Sequence, residues 1–207
     1  MSSIAAVVFD IGNVLIEWNP ERVYDRLIGP ARRAALFDAV DLHGMNARVD
    51  LGEALGEAVA HLARAEPDWA DEIAIWHDRW IEMASPAIPR SVRLLRALRR
   101  AEVPVFALTN FGADTFALAG EHYPFLTEFD ASFVSGRLRM AKPEPEIYAA
   151  LEQGTGVAPG RLLFADDRAE NVAAAAARGW RTHHFTGPDG LAERLVSEGL
   201  LTEQEAA

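Results

Sequence analysis

The sequence predicts an α/β protein: a parallel sheet with helices on both faces, interrupted by an all-helical insertion. Two observations carry that prediction. Short apolar runs of strand length, each leading into polar residues or a turn, alternate with amphipathic segments, as in a sheet buried on both faces. One long stretch, 18–88, shows helical patterns only.

Taken in order, the first run, 4–9, leads to Asp10. Helical patterns follow at 20–27, 30–40, 53–65 and 67–83, separated by Gly-, Pro- and Asp-rich breaks. In the last of these Trp69, Ile73, Trp76 and Trp80 share one face at spacings of three and four, which reads as the insertion's own core rather than a ligand box. The alternation resumes with a helix over 91–101 and a run over 103–108 that leads to Thr109-Asn110. Helices are predicted at 113–120 and 144–153, and a run at 162–165 leads to Asp166-Asp167. A helix over 168–178, closely packed through its alanines, and a strand over 180–185 close the chain's regular pattern. The expected division is a Rossmann-like core of 1–17 and 89–207 with a helical domain of 18–88. Ligands of such sheets lie beyond the strands' C-terminal ends, where Asp10, Thr109, Asn110, Asp166 and Asp167 all fall.

Composition narrows the function. At 207 residues, half hydrophobic and a quarter charged, the chain suits one globular core plus a small insertion. The lack of cysteine excludes disulfides and thiol catalysis. Met-Ser-Ser-Ile-Ala-Ala-Val-Val-Phe-Asp carries no basic leader and meets an acid early, so neither a signal peptide nor a membrane span is expected there, and a cytoplasmic location is. A formal charge of −11 disfavours nucleic acid and anionic membrane as partners. An anionic substrate must therefore be held by local positive groups. Monomer and homodimer are both compatible with this composition.

Lys142 is the candidate cation. It is the single lysine beside nineteen arginines, and an ammonium approaches one oxygen as a point charge where a guanidinium prefers a flat partner. Asp10 is positioned to act as a nucleophile and to ligate a divalent ion. Magnesium takes oxygen ligands and keeps several waters, so Asp10, the Gly12 carbonyl and Asp167, with Asp166 behind them, form a sufficient protein share. Phosphoryl transfer needs such neutralisation and positioning. Thr109 and Asn110 would supply neutral donors and Lys142 the fixed charge, without which carboxylates and phosphate repel one another.

Phe-Asp-Ile-Gly-Asn-Val-Leu (9–15), Leu-Thr-Asn (108–110), Lys-Pro (142–143) and Phe-Ala-Asp-Asp (164–167), in that order, resemble the haloacid dehalogenase-like (HAD) hydrolase superfamily. The insertion resembles the helical cap of its subclass I. Glu-His-Tyr-Pro (121–124) and Lys-Pro-Glu-Pro-Glu-Ile-Tyr (142–148) look closest to α-D-glucose-1-phosphate phosphatase-type sugar phosphatases. The resemblance implies that Asp10 attacks phosphorus to form an aspartyl-phosphate that water hydrolyses. It implies that Asp10, the Gly12 carbonyl and Asp167 hold magnesium, and that Thr109 and Lys142 hold the phosphoryl oxygens. The cap would close over the core and exclude water.

One departure matters. Most phosphatases of the superfamily carry an aspartate two residues after the nucleophile as the leaving group's acid; here Gly12 stands there. Acid–base assistance is typically worth about a hundred- to ten-thousandfold, so another residue is sought, with Asp50 or Glu53 of the insertion as candidates. The same gap keeps a 2-haloacid dehalogenase reading open, with Asp10 attacking carbon, although no tyrosine stands near Gly12 as in those relatives. A catalytically weak ligand-binding protein is the third reading. The six histidines form no metal motif, His122 included, and Arg90, Arg93, Arg96, Arg99 and Arg100 read as a solvated helix face. The sequence thus points to a magnesium-dependent phosphatase of a small phosphorylated metabolite, sugar phosphates first.

Overall fold

The computed structural model describes residues 4–207; positions 1–3, where the N-terminal segment read above begins, lie outside the described residues. Five parallel strands form the main sheet: β1 (Ala6–Phe9), β4 (Val105–Thr109), β5 (Ala131–Val134), β6 (Leu162–Asp166) and β7 (Arg181–His184), in the order β5-β4-β1-β6-β7. β1 is central, with Val8 aligned to Phe106 on one side and to Phe164 on the other. The chain runs outward from β1 through β4 to β5, then returns to the far side of β1 for β6 and β7. The cleft between β1 and β6 is therefore the point where strand order reverses, the place such sheets offer a ligand.

Alternation along the strands builds two cores. Ala6, Val8, Phe106, Leu108 and Phe164 face Tyr148, Leu151 and Trp180. Val7, Phe9, Val105, Ala107 and Leu163 face the opposite helices, and that core continues into the insertion. The insertion is joined to the sheet by an antiparallel pair, β2 (Ile16–Trp18) and β3 (Ala84–Ala87), through which the chain leaves and re-enters. Between them the structure is helical: Pro20–Ile28, Pro30–Ala39, Leu42–Asp50, Leu55–Ala65, Ala70–Asp78 and Trp80–Met83.

Several expectations shift. The expected helix over 67–83 begins as a 3₁₀ turn, Pro67–Trp69, and breaks at Arg79, whose φ of −121° leaves the helical region. Leu42–Asp50 was not anticipated; Asp41 caps it by accepting from the Gly44 N–H at 2.7 Å, and it buries Leu42, Met45 and Val49. β5 also escaped the pattern, because an edge strand with only Val134 fully buried has no apolar run. β7 is likewise an edge, its residues half-buried or exposed rather than buried on both faces. Among the described residues no helix is long and apolar enough to cross a membrane.

Candidate active site

The strand ends converge on a cavity of about 490 Å³ lined in part by Asp10, Gly12, Asn110, Lys142 and Asp167. Asp10 follows β1, Asn110 follows β4, and Asp166 ends β6. Lys142 enters from the loop between the short helix Ser135–Leu138 and the helix Pro145–Thr155. The floor thus joins residues far apart in sequence at one sheet edge.

Lys142 is buried, with Nζ 3.0 Å from Asp10 Oδ1 and 2.6 Å from Asp166 Oδ2. Its backbone is fixed by Asn110: the Lys142 N–H donates to Asn110 Oδ1, and Asn110 Nδ2 donates to the Lys142 carbonyl, both at 2.8 Å. Asn110, expected as a neutral donor to substrate, is thus engaged by Lys142 at both ends of its amide and positions the cation's backbone.

Asp10 Oδ1 accepts from the Ile11 N–H at 2.7 Å and faces Lys142. Among the described residues no hydrogen bond reaches Oδ2, which leaves that oxygen available for attack. Burial pushes the Asp10 carboxyl up to about 7, the Lys142 charge opposes the rise, and the Asp166 charge adds to it. Asp166 is fully buried and takes the Arg168 N–H at 2.8 Å, Lys142 Nζ, and Asn171 Nδ2 at 3.1 and 3.0 Å. Asp167 is half-buried, raised chiefly by burial, and accepts from Asn13 Nδ2 at 3.1 Å.

Oxygens of Asp10, Asp166 and Asp167 lie within 4.8 Å of one another. Three carboxylates share one buried ammonium, and the excess of negative charge matches a divalent cation. An all-oxygen donor set suits a hard ion. Asp10 and Asp167 line the cavity, whereas Asp166 lies behind it, already surrounded by donors.

The other expected residues divide. Gly12 lines the cavity, and a Cβ built on it meets nothing within 4 Å. Thr109 ends β4, almost wholly buried, one residue before the cavity wall that Asn110 forms. Asp50 reaches the cavity, where it accepts from Asn46 Nδ2 at 3.1 Å and from the Gly112 N–H. Burial pushes its carboxyl up to about 7. Glu53 instead pairs with Arg48 at 2.9 Å and is no part of the cavity lining. Trp76 is core as expected, but Trp80 lines the cavity as well as packing.

Sequence reasoning missed Asn13, Asn171 and His184. Asn13 supports Asp167, Asn171 supports Asp166, and His184 Nε2 lies 2.9 Å from the Asp167 carbonyl. Asn13 carried a usable signal, being a non-glycine residue in a Gly-Asn turn; its φ is +53°. His43 also lines the cavity, while His122 bonds the Leu118 carbonyl of its own helix at 3.1 Å.

A buried ammonium between two strand-end aspartates, beside a helical insertion, defines a hydrolase of one architecture. The chain belongs to the haloacid dehalogenase-like hydrolases, whose family pattern matches residues 4–179. It is 28% identical over 203 residues to the sesquiterpene phosphatase astK of Aspergillus oryzae, covering 97% of this chain and 98% of that protein. Its fold is similar to HAD family enzyme bt-2542 of Bacteroides thetaiotaomicron in complex with magnesium and inorganic phosphate. That likeness has a TM-score of 0.69 and 24% identity over 87% of this chain and 93% of that one. It is also similar in fold to L-2-haloacid dehalogenase of Xanthobacter autotrophicus, with TM-score 0.64 and 20% identity over 98% of this chain and 86% of that one.

Proposed function

We propose that the protein is a magnesium-dependent phosphomonoesterase working through an aspartyl-phosphate on Asp10, with 1–17 and 89–207 as catalytic core and 18–88 as its cap. The observation that carries this reading is the cluster itself: Lys142 holds Asp10 Oδ1 while oxygens of Asp10, Asp166 and Asp167 gather within 4.8 Å of one another at the strand ends. Asp10, the Gly12 carbonyl and Asp167, with Asp166 adjoining, would hold magnesium, which supplies Lewis-acid neutralisation of the phosphoryl oxygens. The bound magnesium and phosphate of bt-2542 and the phosphatase activity named for astK support it.

In this reading Asp10 Oδ2 forms a bond to phosphorus as the bond to the ester oxygen breaks. That oxygen keeps the electron pair and takes a proton, releasing an alcohol. Water then attacks the same phosphorus, giving inorganic phosphate and restoring the Asp10 carboxylate. Lys142 and Thr109 hold phosphoryl oxygens, and Asn110 keeps Lys142 in register. Asp50 supplies the leaving group's proton in place of the side chain absent at Gly12, because it is the cavity acid not engaged as nucleophile, metal ligand or arginine partner. Glu17, the other candidate on the wall, is paired with Arg22 at 2.6 Å.

Attack on carbon, as in a dehalogenase, requires no metal, and the surplus of buried negative charge favours the phosphoryl reading. The substrate is a phosphate monoester; the sequence resemblance favours sugar phosphates, and the name of astK favours a terpenoid one. The test is phosphate release from an aryl phosphate, with magnesium or chelator, by the native chain and Asp10→Asn. Release that needs both metal and Asp10 supports the reading. Halide release from a 2-haloacid without metal, and no phosphate release, sinks it.

A further inference from the structure

The cavity divides by chemistry. Its floor carries the strand-end charges, whereas the wall toward the insertion presents Ile16, Trp18, Leu51, Trp80, Ala84 and Phe111 beside the polar Glu17, His43, Asn46 and Asp50. Three of these rings form a continuous surface: Trp18 and Trp80 have centroids 5.8 Å apart, and Trp80 meets Phe111 edge-on at 5.4 Å. Phe116 backs Phe111 at 5.6 Å, and Trp76 backs Trp18 at 6.0 Å. Such a wall is fixed before any ligand arrives.

Of the polar groups on that side, Asn46, Asp50 and Glu17 are already engaged, and His43 packs edge-on against Trp76 at 5.9 Å. Asn46 donates to Asp50 and accepts from Trp76 Nε1 at 3.2 Å, and Glu17 is held by Arg22. Hydroxyls of a sugar pressed against Trp18, Trp80 and Phe111 would lose water without finding partners on those rings, which weakens binding. The apolar surface also continues outward. Leu51 is 47% exposed and Met140 38% exposed, two of the three exposed large hydrophobics among the described residues. Both line an adjoining groove of about 390 Å³, rimmed by Arg139, Glu144 and Glu146, that shares Leu51, Ala141 and Lys142 with the cavity. Large apolar side chains held at the mouth of a site mark what passes through it.

We infer that the substrate's leaving group is a hydrocarbon alcohol, seated on Trp18, Trp80 and Phe111 and leaving the cavity over Leu51 and Met140. The inference rests on the phosphatase reading and names its substrate class: a phosphate monoester of a long apolar alcohol, hydrolysed by one water to the free alcohol and inorganic phosphate. No further co-reactant enters. Selectivity then comes from apolar contact, and each lost contact of methylene size reduces discrimination about 10- to 200-fold.

The test is phosphate release with magnesium from farnesyl phosphate and decyl phosphate, both below their micelle thresholds, beside glucose 1-phosphate, glycerol phosphate and 4-nitrophenyl phosphate. The expected result is a kcat/KM for the hydrocarbon esters at least about a hundredfold above that for glucose 1-phosphate. Leu51→Ser, at a position 47% exposed, should lower the ratio of decyl to glycerol phosphate efficiency about tenfold, mainly through KM. Trp18→Ala should lower it further. Hydrolysis of 4-nitrophenyl phosphate with sugar phosphates equal to or better than the hydrocarbon esters would overturn this inference and leave the phosphatase reading standing. A ratio unmoved in both variants would overturn it too. Failure on every ester, the aryl phosphate included, would remove the phosphatase reading and this inference with it.

Discussion

Asn13 holds Asp167 by donating from Nδ2 to Oδ2 at 3.1 Å, while its own Oδ1 accepts from the Trp18 N–H at 3.0 Å. One amide thus ties the metal-site carboxylate to the strand that begins the aromatic wall. Its φ of +53° places it in a region that few side chains tolerate, so Asn13→Gly keeps the backbone and removes both bonds. Magnesium affinity measured by calorimetry should fall about 10- to 100-fold, as for other supports of metal ligands. An unchanged affinity would show that Asp167 needs no such support.

Lys142 faces Asp10 and Asp166 with its side chain almost wholly buried. Replacing it with Met leaves two buried carboxylates without their counter-charge, and removing one partner of a buried pair costs about 3–5 kcal/mol. Urea unfolding in chelator should show that loss, with turnover abolished. Lys142→Arg should not restore turnover, because a planar guanidinium does not reproduce a point charge between two oxygens. Full activity in the arginine variant would contradict this account of the cation.

The sheet and the floor of the site were legible because apolar runs ended at Asp10, Thr109 and Asp166, and parallel strands deliver such ends to one edge. Lys142 was legible by its rarity alone. β5 and the helix Leu42–Asp50 were not, since an edge strand with one buried residue and a helix with three leave too weak a period. The tie between Asn110 and Lys142 was not legible for a different reason. Whether an amide serves a ligand or a backbone depends on what lies opposite it, and Lys142, 32 residues away, is opposite. Trp80 shows the same limit: spacing places it on a buried face, but only packing shows that this face borders a cavity.

Gly12 leaves room beside the nucleophile, since a built Cβ meets nothing within 4 Å. Gly12→Asp should therefore fold and supply a second acid. Turnover of alkyl phosphates should rise at least about tenfold, with a smaller gain for aryl phosphates, whose leaving groups need less protonation. Equal gains for both would point away from acid catalysis.

Asp50 holds its proton more tightly in the folded chain, where burial raises it from 3.8 to about 7, than in the unfolded one. Its contribution to stability is therefore whole below about pH 4 and is lost as pH rises through about 7. In chelator the native chain should lose stability more steeply over that window than Asp50→Asn, which has no proton to lose there. The same variant should slow alkyl esters more than aryl esters. Parallel stability profiles would contradict the raised carboxyl, and equal slowing of both esters would contradict its role as proton donor.

Asp10 as the nucleophile on phosphorus is the central claim, and acid-quenched mass spectrometry during turnover of an aryl phosphate with magnesium tests it most directly. The account predicts a phosphoryl adduct on the peptide that contains Asp10, labile to hydroxylamine and absent from Asp10→Asn. Sustained phosphate release by Asp10→Asn, with no adduct on that peptide in the native chain, would contradict it.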